Sequence, residues 1–298
     1  MIVNYPRMRR RVKGWPDDLD TALEFSSANP FSISAPKNWD GKLEYTNGSG
    51  WKMWDGSAIA SGEIENNHYI YLRGTGNSKI TGTTSSSVKW SIIGTNIACN
   101  GDIDLLLDYS TVKNGNRPAM ASYCYSNMFQ GCTSLTATPS LPATTLASYC
   151  YSNMFQGCTS LTAAPSLPAT TLANNCYNSM FQGCTSLTAA PSLPATTLNT
   201  NCYYYMFYGC TSLTTAPSLP ATTLANNCYN SMFYLCTKIK LSTTASGTYT
   251  KSYRIPQNGT GTTASGALVY MFGNTGGTFN GAPKINTTYY LDESNTIV

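Results

Sequence analysis

An α+β solenoid of five 26-residue coils, preceded by a small β-sandwich-like domain, is the fold class this sequence predicts, and three observations predict it. One unit recurs five times between Ala121 and Thr237, with Cys124, Cys150, Cys176, Cys202 and Cys228 stepping by 26 and Cys132, Cys158, Cys184, Cys210 and Cys236 stepping alongside them. Each unit carries too short an apolar pattern to bury its own face, so the copies must stack. Ahead of them lie short β-branched and aromatic runs separated by Gly and Asn clusters, the pattern of strands joined by hairpins.

Within the first unit, Cys124, Met128 and Cys132 fall at i, i+4 and i+8, and Tyr125 and Phe129 form a second pair beside them. This spacing predicts a helix of about two turns with one apolar face. Gly131 stands where a helix C-terminal glycine is expected. Pro139 and Pro142 forbid a continuing helix, and residues 143–146 suit a short extended segment. Stacked strands lie about 4.8 Å apart, whereas packed helices need about 8–10 Å. The helical side is therefore expected to splay and the stack to curve. The fifth copy decays after Cys236, and a diverged echo follows at residues 270–273, YMFG.

The in-register recurrence of residues 128–135 (MFQGCTSL) and 141–146 (LPATTL) resembles the BspA-type leucine-rich repeat of bacterial and phage surface proteins. The resemblance covers roughly residues 119–241. It implies a leucine-rich-repeat-like solenoid, surface display and adhesion, with no chemistry shared across the family. The basic N-terminus is not followed by the apolar stretch of a secretory signal, a departure from the secreted members. That departure favours a phage virion protein, a head fibre, tail fibre or capsid appendage attaching to a bacterial surface protein or glycan. A bacterial cell-surface adhesin and a purely structural virion component are the alternatives.

The flanks divide as follows. Residues 1–22 read as a basic arm, with Arg7, Arg9, Arg10, Arg11 and Lys13 as the candidate anchor to other virion proteins. Nucleic acid is not the expected partner, because no recognition fold adjoins the cluster. Residues 23–100 form the small β domain, with Trp51, Trp54 and Trp90 read as core or cross-strand residues. Residues 101–120 are the N-terminal cap, 121–241 the coils, and 242–298 the C-terminal cap. No run of 18 apolar residues occurs, so no membrane-spanning helix is expected. A homo-oligomer is compatible with all of this.

Charged residues make up 11% of the chain, against roughly 25% in typical soluble proteins. None of Asp, Glu, Lys, Arg or His occurs from residue 118 to 237. General acid–base work needs a titratable group near its target, and the sole histidine, His68, lies in an apparent strand. No catalytic residue, cofactor or metal is expected. The C-x7-C spacing is not that of a zinc site. On a helix it exceeds a disulfide's reach, so the thiols are read as reduced packing ladders. Asp17, Asp18 and Asp20 fall in the arm. Asp102, Asp104 and Asp108 lack the oxygen-rich loop of a calcium site.

The copies differ at outward positions. Ser122, Tyr123, Ser126, Asn127 and Gln130 of the first unit become Thr200, Asn201, Tyr204, Tyr205 and Tyr208 in the fourth. Solvent tolerance alone accounts for drift of this kind. Tyr and Asn are nevertheless favoured contact residues, so Tyr203, Tyr204, Tyr205, Tyr208 and Tyr234 form the candidate recognition surface.

Overall fold

The structure, a computed structural model, describes residues 13–82 and 87–298. Successive repeats lie one on the next, but the expected helices are absent. In the first coil Cys124, Ser126, Met128, Gln130 and Cys132 donate their backbone N–H to the carbonyl three residues back, at 2.9–3.3 Å. The alternate residues Tyr123, Tyr125, Asn127, Phe129 and Gly131 donate instead to Ser148, Cys150, Ser152, Met154 and Gln156 of the next coil, at 2.7–2.9 Å. The segment is a ribbon of consecutive β-turns, and half of its N–H groups point along the stack.

Positive φ recurs at every fourth residue: Tyr123 (+61°), Asn127 (+62°) and Gly131 (+75°) in the first coil. This suits the third position of a type II turn. Asn and Gly enter that region at least cost, and the pattern repeats at Asn175, Ser179 and Gly183. Between the positive-φ residues, two adjacent side chains turn inward. The i, i+4 spacing therefore belongs to four-residue turns. Their strand-like hydrogen bonding removes the reason to splay.

Identical side chains consequently stack. The buried rings of Tyr125, Tyr151, Tyr177, Tyr203 and Tyr229 follow one another at 5.8–5.9 Å. Phe129, Phe155, Phe181, Phe207 and Phe233 do so at 5.6–5.7 Å. On another side of each coil, parallel bridges join Thr145, Thr171, Thr197, Thr223 and Thr262 in succession.

The N-terminal region contains two sheets. One runs in the order Leu135–Ala137, Ile97–Asn100, Leu23–Ser27, Asn67–Thr75, Lys42–Thr46, Lys52–Met53, with Gly62–Ile64 also pairing to Asn67–Thr75. The other places Ser32–Ser34 between Ile59–Ala60 and Ser91–Ile93. Their apolar residues belong to the same core as the coils. The expected division near residue 100 is not a break in packing. Strand Leu135–Ala137 of the first repeat pairs parallel with Ile97–Asn100. Ile80, Trp90, Ile97 and Ile103 donate to the carbonyls of Cys124, Met128, Ser134 and Ser140, so residues 77–82 and 87–103 act as a coil laid under the first repeat. Trp90 and Trp54 are buried there, 5.2 Å apart.

The only α-helix among the described residues, Leu105–Lys113, is interrupted by extended backbone at Asp108. The Asp108 carboxylate accepts from Thr111 N at 2.9 Å and Ser110 Oγ at 2.6 Å, capping the second half. The expected arm also differs from its sequence reading. Trp15 packs edge-on against Tyr71, Leu19 and Ala22 are buried, and Asp18 pairs with Arg73.

Downstream, Thr262 accepts from Leu224 at the end of the fourth coil, and Ser265, Ala267, Val269, Met271 and Gly273 accept from the fifth. The YMFG echo is thus part of a sixth coil, with Phe272 5.3 Å from Phe233. The chain's final strand, Thr296–Ile297, pairs parallel with Thr215–Ala216.

Gly183 has φ +73°, yet a Cβ there would lie 3.8 Å from Gly157 Cα, an ordinary contact. Conformation rather than crowding selects glycine. Gly183→Ala should therefore lose about 1–2 kcal/mol in chemical denaturation, and Gly183→Asn should lose less. Equal losses would contradict this origin.

Candidate binding surface

The turn ribbon determines what faces outward. In the third coil the outer positions hold neutral hydrogen-bonding groups. Ser179 Oγ donates to Asn178 Oδ1 at 2.8 Å, and Gln182 Oε1 accepts from Gln156 Nε2 at 2.7 Å. In the fourth coil the equivalent positions are Tyr204, Tyr205 and Tyr208. All three are half-buried. Tyr204 meets Tyr205 edge-on at 4.1 Å, and Tyr205 meets Tyr208 edge-on at 5.2 Å. Tyr208 stacks on Tyr234 of the fifth coil at 5.1 Å. Tyr234 in turn meets Tyr270 of the sixth coil edge-on at 6.3 Å, and its Oη accepts from Asn274 Nδ2 at 2.8 Å. The five rings form one ridge across three coils, with Tyr270 63% exposed at its end.

Tyr203 does not belong to this surface. It is fully buried and stacks between Tyr177 and Tyr229 in the core ladder. Tyr204 and Tyr205, which follow it, point out because only two residues of each four-residue turn, here Cys202 and Tyr203, point in. Tyr204, Tyr205, Tyr208 and Tyr234 are brought together as the sequence suggested. Tyr270 was not singled out, although the match of Met271-Phe272 to the repeat's Met-Phe pair marked it. A second, smaller stack joins Tyr123 and Tyr149 at 4.3 Å at the other end of the coils.

A comparison with protein-family models, curated proteins and solved structures finds no match. Partial burial and the hydrogen-bonded Tyr205 hydroxyl push the Tyr204 phenol up to about 12. Tyr204 thus offers a neutral ring and hydroxyl at physiological pH. Tyr205 has φ +55°, a conformation disfavoured for a bulky side chain, where Asn or Gly would cost less. Backbone strain of this kind concentrates at functional positions.

The other sequence candidates are dispersed. Lys13 is exposed, whereas Arg7, Arg9, Arg10 and Arg11 lie outside the described residues. His68 is half-buried in strand Asn67–Thr75, opposite Glu63. The Arg73 guanidinium lies between the rings of Trp51 (3.9 Å) and Tyr109 (4.3 Å) and pairs with Asp18 and Glu44. This clamp carried no sequence signal, because its members are distant along the chain. Among the described residues, no three His, Cys, Asp or Glu side chains converge as metal ligands.

Asp102 and Asp104 both face Arg117, whereas Asp108 turns away to Gly76 N. Tyr125 Oη donates to Asp104 at 3.2 Å, closing the near end of the tyrosine ladder. Burial, reinforced by the Asp102 charge and opposed by Arg117, raises Asp104 to about 6. The folded chain therefore holds this proton more tightly than the unfolded chain, whose carboxyl titrates near 3.8. Asp104's contribution is most favourable below pH 4 and declines as pH rises through 6. The stability of Asp104→Asn relative to the parent should thus increase from pH 4 to 6.5 and then level off. A pH-independent difference in melting temperature would contradict the assignment.

Proposed function

We propose that this chain is a non-enzymatic adhesion protein of a virion, a fibre or capsid-surface appendage, whose coils attach to a bacterial surface or its glycans. The observation that carries the reading is the ridge of Tyr204, Tyr205, Tyr208, Tyr234 and Tyr270, five contiguous rings spanning three coils. Tyrosine supplies broad contact area and a hydroxyl while losing little rotamer entropy. Ring faces accept apolar sugar or peptide surface, and the phenols offer donors at the rim. Placing a ring at the positive-φ position 205 opposes local conformational preference, which supports a role in contact over simple drift.

The third coil supplies a structurally matched control. Tyr204→Asn, Tyr205→Ser and Tyr208→Gln convert the fourth-coil positions to the residues found at 178, 179 and 182. The triple variant should fold with unchanged or slightly higher thermal stability. Its binding on a glycan array and to whole bacterial cells should fall by about tenfold or more, the scale of a contact hot spot. Undiminished binding with intact folding would remove the ridge from the function.

A further inference from the structure

The sixth coil ends the stack with an unusual edge. Every backbone carbonyl from residue 264 to 271 is occupied. Those of Ala264, Gly266, Leu268 and Tyr270 accept within the coil, from residues 267, 269, 271 and 273. Those of Ser265, Ala267, Val269 and Met271 accept from the fifth coil. The outward N–H groups at positions equivalent to 227, 229 and 231 belong to Gly266, Leu268 and Tyr270. In the fifth coil these groups bind the next coil; in the sixth, none finds an acceptor among the described residues. The edge is donor-only.

The same edge shows what covers it. Its next two outward donors are already met: Phe272 N–H by the Gly281 carbonyl at 2.9 Å, and Asn274 N–H by Asn280 Oδ1 at 2.6 Å. The chain then turns away, leaving a shallow groove of about 350 Å3 lined by Gly266 and Leu268, two of the three residues with open donors. Its walls include Leu268, Val269, Pro283 and Ile285, and Lys284 is the one charged residue lining it among the described residues.

We propose that this edge docks a polypeptide segment of another protein, which presents alternate backbone carbonyls in the register of a seventh coil and an acidic side chain to Lys284. Strand addition to an open edge is an established recognition mode. A second copy of the same edge does not fit, because donors would face donors. The opposite end of the repeats cannot supply the acceptors either: the Cys124 and Met128 carbonyls are already held by Ile80, Thr81 and Trp90. The proposal is independent of the tyrosine ridge reading, since its groups are main-chain N–H donors and Lys284, with no phenol ring involved, and its partner is protein.

The test uses the 15N-labelled full chain and two synthetic peptides. One copies residues 173–186, and the other is the same with two aspartates appended. Both should shift the amide resonances of Gly266, Leu268 and Tyr270 and slow their hydrogen exchange. Lys284→Glu, at an exposed position, should weaken only the aspartate-bearing peptide, by about threefold, the scale of an exposed ion pair. The absence of amide shifts at millimolar peptide would overturn the proposal. So would the same shifts appearing with inorganic phosphate alone, which would mark a simple anion nest.

Discussion

Every second N–H of the turn ribbon points along the stack instead of along its own coil, and the remaining architecture depends on that alternation. It brings each coil within hydrogen-bonding distance of the next on the side where helices would have forced separation. Residue n therefore lies over residue n+26, and like meets like. Aromatic rings accept this arrangement, as the tyrosine and phenylalanine ladders show. Charges do not, since like charges about 4 Å apart repel by about 1 kcal/mol even in bulk water. The absence of charge from residue 118 to 237 follows from the stack. Amides and hydroxyls replace charge because they donate and accept in register, as in the Gln156–Gln182 pair.

The thiols serve the same geometry. Cys158, Cys184 and Cys210 each donate Sγ–H to a phenylalanine carbonyl of the previous coil at 3.1 Å. Burial pushes Cys184 up to about 12, so the proton required for that bond is retained. A buried thiol reactive only as thiolate is inert under these conditions. All eleven cysteines are free and buried, so the second cysteine of each unit acts as a small apolar residue with one weak donor.

Much of this was legible from the sequence, and the parts that were not have a common cause. The repeat length, the inward Cys, Met and Phe positions and the tyrosine cluster all follow from periodicity. Periodicity at four residues is nevertheless shared by a helix and by four-residue turns. The discriminating sign was the Asn127–Gly131 spacing, two residues suited to positive φ within one supposed helix. Tyr203 was misplaced for another reason: it is the repeat equivalent of Tyr125, whose inward pairing with Phe129 already assigned that position to the core. The packing of Trp15 and Leu19 onto the sheet and the Arg73 clamp were hidden for a different reason. Their partners, including Tyr71, Trp51 and Tyr109, are far apart in the chain.

The ridge and the open edge are two outcomes of one rule. Where outer side chains vary, the stack becomes a graded surface. Where the stack ends, its hydrogen bonding is left open. Both depend on the alternating N–H direction, which hydrogen-bond scalar couplings report directly in a deuterated, 15N/13C-labelled sample. Cross-peaks should link the amide nitrogen of Tyr151 to the carbonyl carbon of Cys176, and that of Phe155 to Met180, across coils 25 residues apart. Cross-peaks from these amides to carbonyls four residues back would show helices and contradict the stack described.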